Sequence, residues 1–270
     1  MLSAVEILAP AKVNLFLHVL GRRRDGYHRI ESLFAFADKG DFLRFEPALT
    51  WRLEITGPFA HQLEQEPDNL VTRAAKRLWA SIGQAGLPPV AVELVKNLPV
   101  ASGIGGGSSD AAAMLLGLKQ AFDLDIYFER LIGLAANLGA DVPACLLRKA
   151  CLVRGIGDEI EPLGGLFKPL SVLLVNPLVP VSTKQVFAHY SGPFSPAHDD
   201  LKSNLGVYIR KGQNDLQVAA CKIAPQITFV LKNLGSGARM SGSGATCVGI
   251  GKNTLSSLDG PKWQLPCTLS

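Results

Sequence analysis

The sequence predicts an α+β fold in two domains, on three observations. Strand-like and helix-like runs do not alternate as a regular βαβ series. A glycine-rich stretch, 99–109, leads from a strand pattern straight into a helix pattern. The Gly/Pro cluster from Gly155 to Gly165 is the best boundary signal and suggests domains at 1–160 and 161–270.

Each element has its own local reason. Val5 to Ile7, Val13 to Val19, Glu31 to Phe36, Asp41 to Phe45 and Trp51 to Ile55 are short apolar or alternating runs bounded by Gly, Pro and Asp, and read as strands. Over Asn69 to Ser81, Leu70, Ala74, Ala75, Leu78 and Trp79 recur at helical spacing behind a cap at Asp68 or Asn69. Val90 to Leu94 is a further strand, Ala111 to Phe122 a helix after the glycines, and Tyr127 to Leu138 a second helix interrupted by Gly139-Ala140-Asp141. Beyond the boundary, Leu170 to Val175 reads as a buried strand, Thr183 to Tyr190 and Leu216 to Ala220 as helices, and Thr246 to Ile250 as a strand.

Composition removes several function classes. With 47% apolar and 19% charged residues the chain has the balance of a soluble globular protein. The net charge of +4 carries no dense basic stripe beyond Arg22 to Arg24, so no nucleic-acid partner is expected. No apolar run is long enough to cross a bilayer, and Lys12, Asn14 and His18 interrupt the first hydrophobic stretch, so neither a membrane nor a signal peptide is expected. The five cysteines contain no C-x-x-C and read as reduced, packed thiols of a cytoplasmic protein.

Pro99, Val100, Ala101, Ser102, Gly103, Ile104, Gly105, Gly106, Gly107, Ser108 and Ser109 look like a phosphate cradle. The glycines let several backbone N–H groups converge, and Ser108 or Ser109 would cap a helix whose positive end faces the same anion. No lysine follows as a Walker A loop requires, Ser108 stands where the dinucleotide fingerprint needs its third glycine, and no H-R-D or D-F-G accompanies them. A flexible Gly/Ser linker is the competing reading.

Four further segments carry polar groups in unusual places. Lys12, Asn14, Phe16 and His18 share one side of a strand, as an edge strand with a polar face also would. Asp25-Gly26-Tyr27-His28 is a turn that delivers a stacking ring and an imidazole, or simply a hairpin. Gly139-Ala140-Asp141-Val142-Pro143 sets a carboxylate at a helix boundary, as a cap or as a base, and Ser241-Gly-Ser-Gly-Ala245 is a second donor-rich loop or a tight hairpin.

In order, P-A-K-V-N-L-F-L, R-R-D-G-Y-H, L-P-V-A-S-G-I-G-G-G-S-S-D-A-A, L-G-A-D-V-P and S-G-S-G-A resemble the galactokinase, homoserine kinase, mevalonate kinase and phosphomevalonate kinase (GHMP) superfamily. Within it, P-A-K-x-N-L-x-L and D-G-Y-H point to the 4-diphosphocytidyl-2-C-methyl-D-erythritol kinase family. The resemblance spans residues 10 to 245 and implies a two-domain fold with the active site in the inter-domain cleft, ATP and Mg²⁺ as cofactors, a small-molecule substrate and no obligate protein partner. It implies Lys12 and Asp141 as the catalytic pair, with Asp141 as base. For ATP it implies 99–109, with Asn69 on the adenine side and Lys96 as a further contact. For substrate it implies Asn14, Tyr27, His28, Thr183 and Phe187, with Phe187 facing Tyr27 across a cytosine ring. Ser109 is the candidate Mg²⁺ ligand, and Asp110 departs from an asparagine found in some members. Another kinase of the superfamily, or a nucleotide-binding protein that has lost catalysis, remain the alternatives.

Overall fold

The computed structural model describes residues 4–63, 69–252, 254–255 and 262–270. The strand runs read as separate at Pro10 and at Lys39-Gly40 are continuous. β1 is Val5–Arg22 and β2 is His28–Pro47, joined by the Asp25-Gly26 turn, and β1 pairs with β2. Two breakers do not end these strands, because a long ladder holds the extended backbone through residues that local propensity disfavours.

Contacts divide the chain into two compact units. The first comprises the described parts of Met1–Ala11, Lys39–Val100 and Gly105–Leu147, and the second comprises Lys12–Asp38, Ala101–Ile104 and Arg148–Ser270. Both long strands pass from one unit into the other, so each unit is assembled from several segments of the chain.

In the first unit, β4 (Val90–Val95) lies antiparallel to the Phe42–Pro47 part of β2 and parallel to β3 (Arg52–Thr56). Helix α1 (Leu70–Ser81) starts at Asn69, whose side-chain Oδ1 accepts from Thr72 N at 3.0 Å; Asp68, the alternative cap, lies outside the described residues. Helix α2 (Gly106–Ala121) packs on α1 and buries Ala111, Ala112 and Ala113. At Gly117 it meets the Phe45 ring so closely that a Cβ would stand 2.1 Å from Phe45 Cε2. Helix α3 (Phe128–Ala136) is followed by α4 (Val142–Leu147), where the sequence reading had only an interruption and a cap or base at Asp141. A proline in the first turn is tolerated, since its absent N–H would have had no helical partner.

In the second unit, residues 155–158 turn the chain between the antiparallel strands β5 (Cys151–Arg154) and β6 (Glu159–Pro162), so the Gly155–Gly165 stretch contains a strand, and β5 is antiparallel to Ser32–Phe34 of β2. β7 (Leu170–Asn176) pairs with β9 (Cys247–Ile250) and β10 (Trp263–Leu269), and the two-residue β8 (Arg239–Met240) pairs with β9. Helices α5 (Thr183–His189), α6 (Leu205–Lys211), α7 (Gln217–Ile223) and α8 (Gln226–Leu234) complete it. Leu17, Val19, Leu173, Val175, Val186, Ala220, Ile227 and Met240 form its apolar core. No helix among the described residues is long and apolar enough to cross a membrane.

Candidate active site

The glycine stretch does not use a serine cap. Gly105, at φ 64°, is the N-cap of α2 and no side chain caps the helix. Ser108 and Ser109 lie inside the helix, and its first turn bond runs from Ser109 N to Gly105 O at 2.8 Å. A serine oxygen at the cap would have occupied an N–H group, whereas a glycine in the left-handed region turns the chain and leaves the helix start uncapped. Ser109 Oγ instead donates to Pro10 O at 2.6 Å.

Ahead of that helix, the stretch is woven into the second unit. Lys12 N donates to Ile104 O at 2.8 Å, Thr246 N to Ser102 O at 3.0 Å, and Ser241 Oγ to Gly103 O at 2.9 Å. Ser241 Oγ also accepts from Asn14 N at 3.0 Å, so one hydroxyl ties the second glycine loop to both β1 and the first loop. Gly103 (φ +77°) admits no side chain: a Cβ there would stand 2.5 Å from Ser241 O.

Lys12 and Asn14 are buried neighbours on β1. Lys12 Nζ donates to Asn14 Oδ1 at 3.0 Å and lies 4.2 Å from the centre of the Phe34 ring, a cation–π contact. Asn14 Nδ2 donates to Ser32 Oγ at 2.8 Å, and that hydroxyl in turn to Phe16 O at 2.5 Å. The polar face of β1 is therefore interior and networked, not the outer face of an edge strand. Asp141, half-buried in the first unit, opens α4 by accepting from Cys145 N at 3.0 Å through its main-chain oxygen.

Thr183 and Ser243 share a hydroxyl hydrogen bond at 2.7 Å, which links the start of α5 to the second glycine loop. The Phe187 ring stacks on His28, with centroids 5.0 Å apart and planes at 24°, while Tyr27 stands 63% exposed. The sequence-based expectation set Phe187 and Tyr27 on opposite faces of a cytosine ring; the ring that Phe187 touches directly here is His28. His28 holds the near position, and its pKa is lowered by burial and then by Arg22. Tyr190, edge-on to His28 at 6.1 Å, is an aromatic neighbour that the sequence reading missed. Its position one turn beyond Phe187 was the only available signal.

Against these positions the comparisons can be set. The family "GHMP kinases N terminal domain" matches residues 69–149. The 4-diphosphocytidyl-2-C-methyl-D-erythritol kinase of Agrobacterium fabrum is 44% identical over 283 residues, covering 96% of this chain and 94% of its own. The chain belongs to the 4-diphosphocytidyl-2-C-methyl-D-erythritol kinase family. A crystal structure of a 4-(cytidine 5'-diphospho)-2C-methyl-D-erythritol kinase superposes with TM-score 0.79 at 32% identity, covering 98% of this chain and 99% of that one. The homoserine kinase of Cytophaga hutchinsonii shares the fold, with TM-score 0.68 at 18% identity over 94% of this chain and 85% of its own.

Membership in this kinase family gives Lys96 and Asp110 a context. Lys96 Nζ pairs with Asp41 Oδ2 at 2.5 Å and with Asp110 Oδ2 at 2.7 Å, all three residues being buried. Asp41 Oδ1 also accepts from the backbone N of Asn97 and Leu98, so this triad clamps β2, the exit of β4 and the second turn of α2 together beside the glycine stretch. Both Lys96 donors so placed face carboxylates. Burial pulls the Lys96 ammonium down, but the two carboxylates outweigh it and hold its pKa above the ordinary value.

Asp110 is pushed up to about 7, chiefly by burial, against the pull of Lys96 and with a further push from Asp41. Because 7 lies above its ordinary 3.8, the folded protein holds the extra proton between these values. This group's stabilising contribution is present in acid and is lost as pH rises through 7. Asp110→Asn is expected to flatten the fall in stability between about pH 4 and 7 and to cost least at the alkaline end. Lys96→Met, which leaves two buried carboxylates facing each other, is expected to cost about 3–5 kcal/mol. Urea unfolding at a series of pH values measures both.

Ser109, the residue expected to meet Mg²⁺, is engaged within the fold. The Ser109 hydroxyl is fully buried and donated to Pro10, and Asp110 is turned to Lys96. Mg²⁺ keeps waters and substrate phosphates among its ligands, so no step below runs through a protein-held metal.

Proposed function

We propose that this chain transfers the γ-phosphoryl group of ATP to the 2-hydroxyl of 4-diphosphocytidyl-2-C-methyl-D-erythritol. The products are the 2-phosphate and ADP, and the reaction serves the non-mevalonate route to isopentenyl diphosphate in the cytoplasm. The observation that carries the reading is the pair of glycine loops. The first is bonded to β1 beside Lys12 and ends on an uncapped helix start, and the second is bonded to the first through Ser241. Residues 1–160 would supply the ATP-binding and catalytic groups and 161–270 the rest of the substrate wall.

In the reaction, the Asp141 carboxylate accepts the proton of the 2-hydroxyl as its oxygen attacks the γ-phosphorus and the bond to ADP breaks. Lys12, aimed by Asn14 and the Phe34 ring, supplies fixed positive charge for the transferring group. Phosphoryl transfer asks mainly for positioning and electrostatics, so this equipment suffices. The backbone N–H groups of 99–109 receive the phosphates, with Asn69 on the adenine side. Its Oδ1 already serves the helix cap, which leaves the amide nitrogen for the base. Lys96 acts by holding the loop's base rather than by reaching the nucleotide. The cytosine docks against Tyr27, His28 and Phe187, with Thr183 and Asn14 on the same side of the substrate.

The position of phosphorylation is testable by ³¹P NMR of the product. C2 of the substrate bears a methyl group and no hydrogen, so a 2-phosphate gives a phosphomonoester signal unsplit by a carbinol proton. A doublet or triplet would place the group on a neighbouring hydroxyl and contradict the reading.

A further inference from the structure

Within the second unit, but apart from every residue assigned above, His18 of β1, Glu31 of β2 and His198 of the α5–α6 connection come together. One potential ligand atom from each lies within 4.8 Å of the other two. The surroundings are unlike an ordinary polar surface. Glu31 is fully buried, and His18 is 8% exposed between the core residues Leu17 and Val19. The His18 Nδ1 atom is buried without a hydrogen-bond partner, a state that costs about 1–3 kcal/mol. Coordination relieves that cost.

The carboxylate is already divided in the manner a metal ligand requires. Glu31 Oε1 accepts from Arg154 Nε at 2.9 Å, which fixes the group and leaves Oε2 facing the two imidazoles. Oε2 meets His198 Nδ1 at 2.9 Å and His198 N at 3.2 Å. The two imidazole rings lie 4.8 Å apart, and Phe16 and Tyr208 pack against them at 4.9 and 5.1 Å. A tetrahedral zinc ion with bonds of about 2.0–2.2 Å separates its ligand atoms by about 3.4 Å. One pair, Glu31 Oε2 and His198 Nδ1, is already inside that distance, the others lie within 4.8 Å, and the His198 side chain, 23% exposed, gives access from solvent. Burial holds the His18 imidazole below its ordinary pKa, although Asp215 pulls the other way.

We infer that His18, Glu31 and His198 form a site for one borderline divalent transition cation such as Zn²⁺, with water as its fourth ligand. Two imidazoles and one carboxylate suit such a cation better than Mg²⁺ or Ca²⁺, which favour all-oxygen shells. The ion would fasten the α5–α6 connection to β1 and β2, the strands that carry Lys12, Asn14 and His28. It takes no part in phosphoryl transfer, so it stands or falls independently of the proposed function.

The test uses the full-length, tag-free protein, stripped with chelator and titrated with Zn²⁺ and, separately, Co²⁺. One Zn²⁺ per chain is expected, with strong visible absorption from four-coordinate Co²⁺. At a hundredfold over Kd, Zn²⁺ should raise Tm by about 5–10 °C. His198→Gln, at the partly exposed ligand, and His18→Gln should each weaken binding by about 100-fold, whereas His189→Gln on α5 should leave it unchanged. Circular dichroism establishes that each variant is folded. Substoichiometric uptake by the wild type, or uptake unaltered in both ligand variants, overturns the site.

Discussion

Asp141→Asn is expected to lower kcat by about 10²- to 10⁴-fold while leaving the protein folded. Asp141 opens α4 through its main-chain carbonyl, which accepts from Cys145 N, and that bond does not depend on the side chain. Asparagine has nearly the same shape, so the helix start and its packing persist while the ability to accept a proton is lost. Steady-state ADP release should show the loss in kcat with little change in KM for ATP, and the thermal midpoint should stay within a few degrees of wild type. A large drop in midpoint with retained turnover would make Asp141 a structural residue only.

The second large effect is expected at Lys12. Its stem is buried in β1, and its ammonium is fixed by the Asn14 amide oxygen and the face of Phe34. Lys12→Met keeps the stem's packing and removes the charge. If that charge stabilises the transferring phosphoryl group, kcat falls by about 10²- to 10³-fold, a loss typical of deleting one preorganised electrostatic contact. Lys12→Arg should not restore it. A planar guanidinium cannot keep a point donor's geometry between an amide oxygen and a ring face in this enclosed place. Single-turnover phosphoryl transfer with saturating ATP separates this effect from weakened binding. An unchanged single-turnover rate in Lys12→Met would remove Lys12 from the chemistry.

What the sequence disclosed about this site divides by range. Signals written within a few residues survived: the Asn69 cap, the glycine stretch entering a helix, the Asp25-Gly26 turn and the strand order before it. The helix start moved from serine to Gly105 because a left-handed glycine and a serine side chain are competing ways to begin a helix, and the sequence contained both. Interactions between distant residues were not legible. Lys96 looked like a cation available to a nucleotide, yet Asp41, 55 positions earlier, and Asp110 both pair with it. Ser241 reaches Gly103 across 138 positions, and no local pattern announces that bond. The same holds for the stacking of His28 on Phe187: D-G-Y-H shows that a tyrosine and a histidine stand side by side, but backbone direction decides which ring turns inward.

The family's substrate, the base and the glycine loops meet in one measurement: ADP release with ATP and Mg²⁺ on 4-diphosphocytidyl-2-C-methyl-D-erythritol, mevalonate and homoserine, each with wild type and Asp141→Asn. Turnover of the cytidylyl substrate alone, lost in the variant, is the predicted result. Turnover of mevalonate or homoserine, or activity that survives Asp141→Asn, would contradict the account.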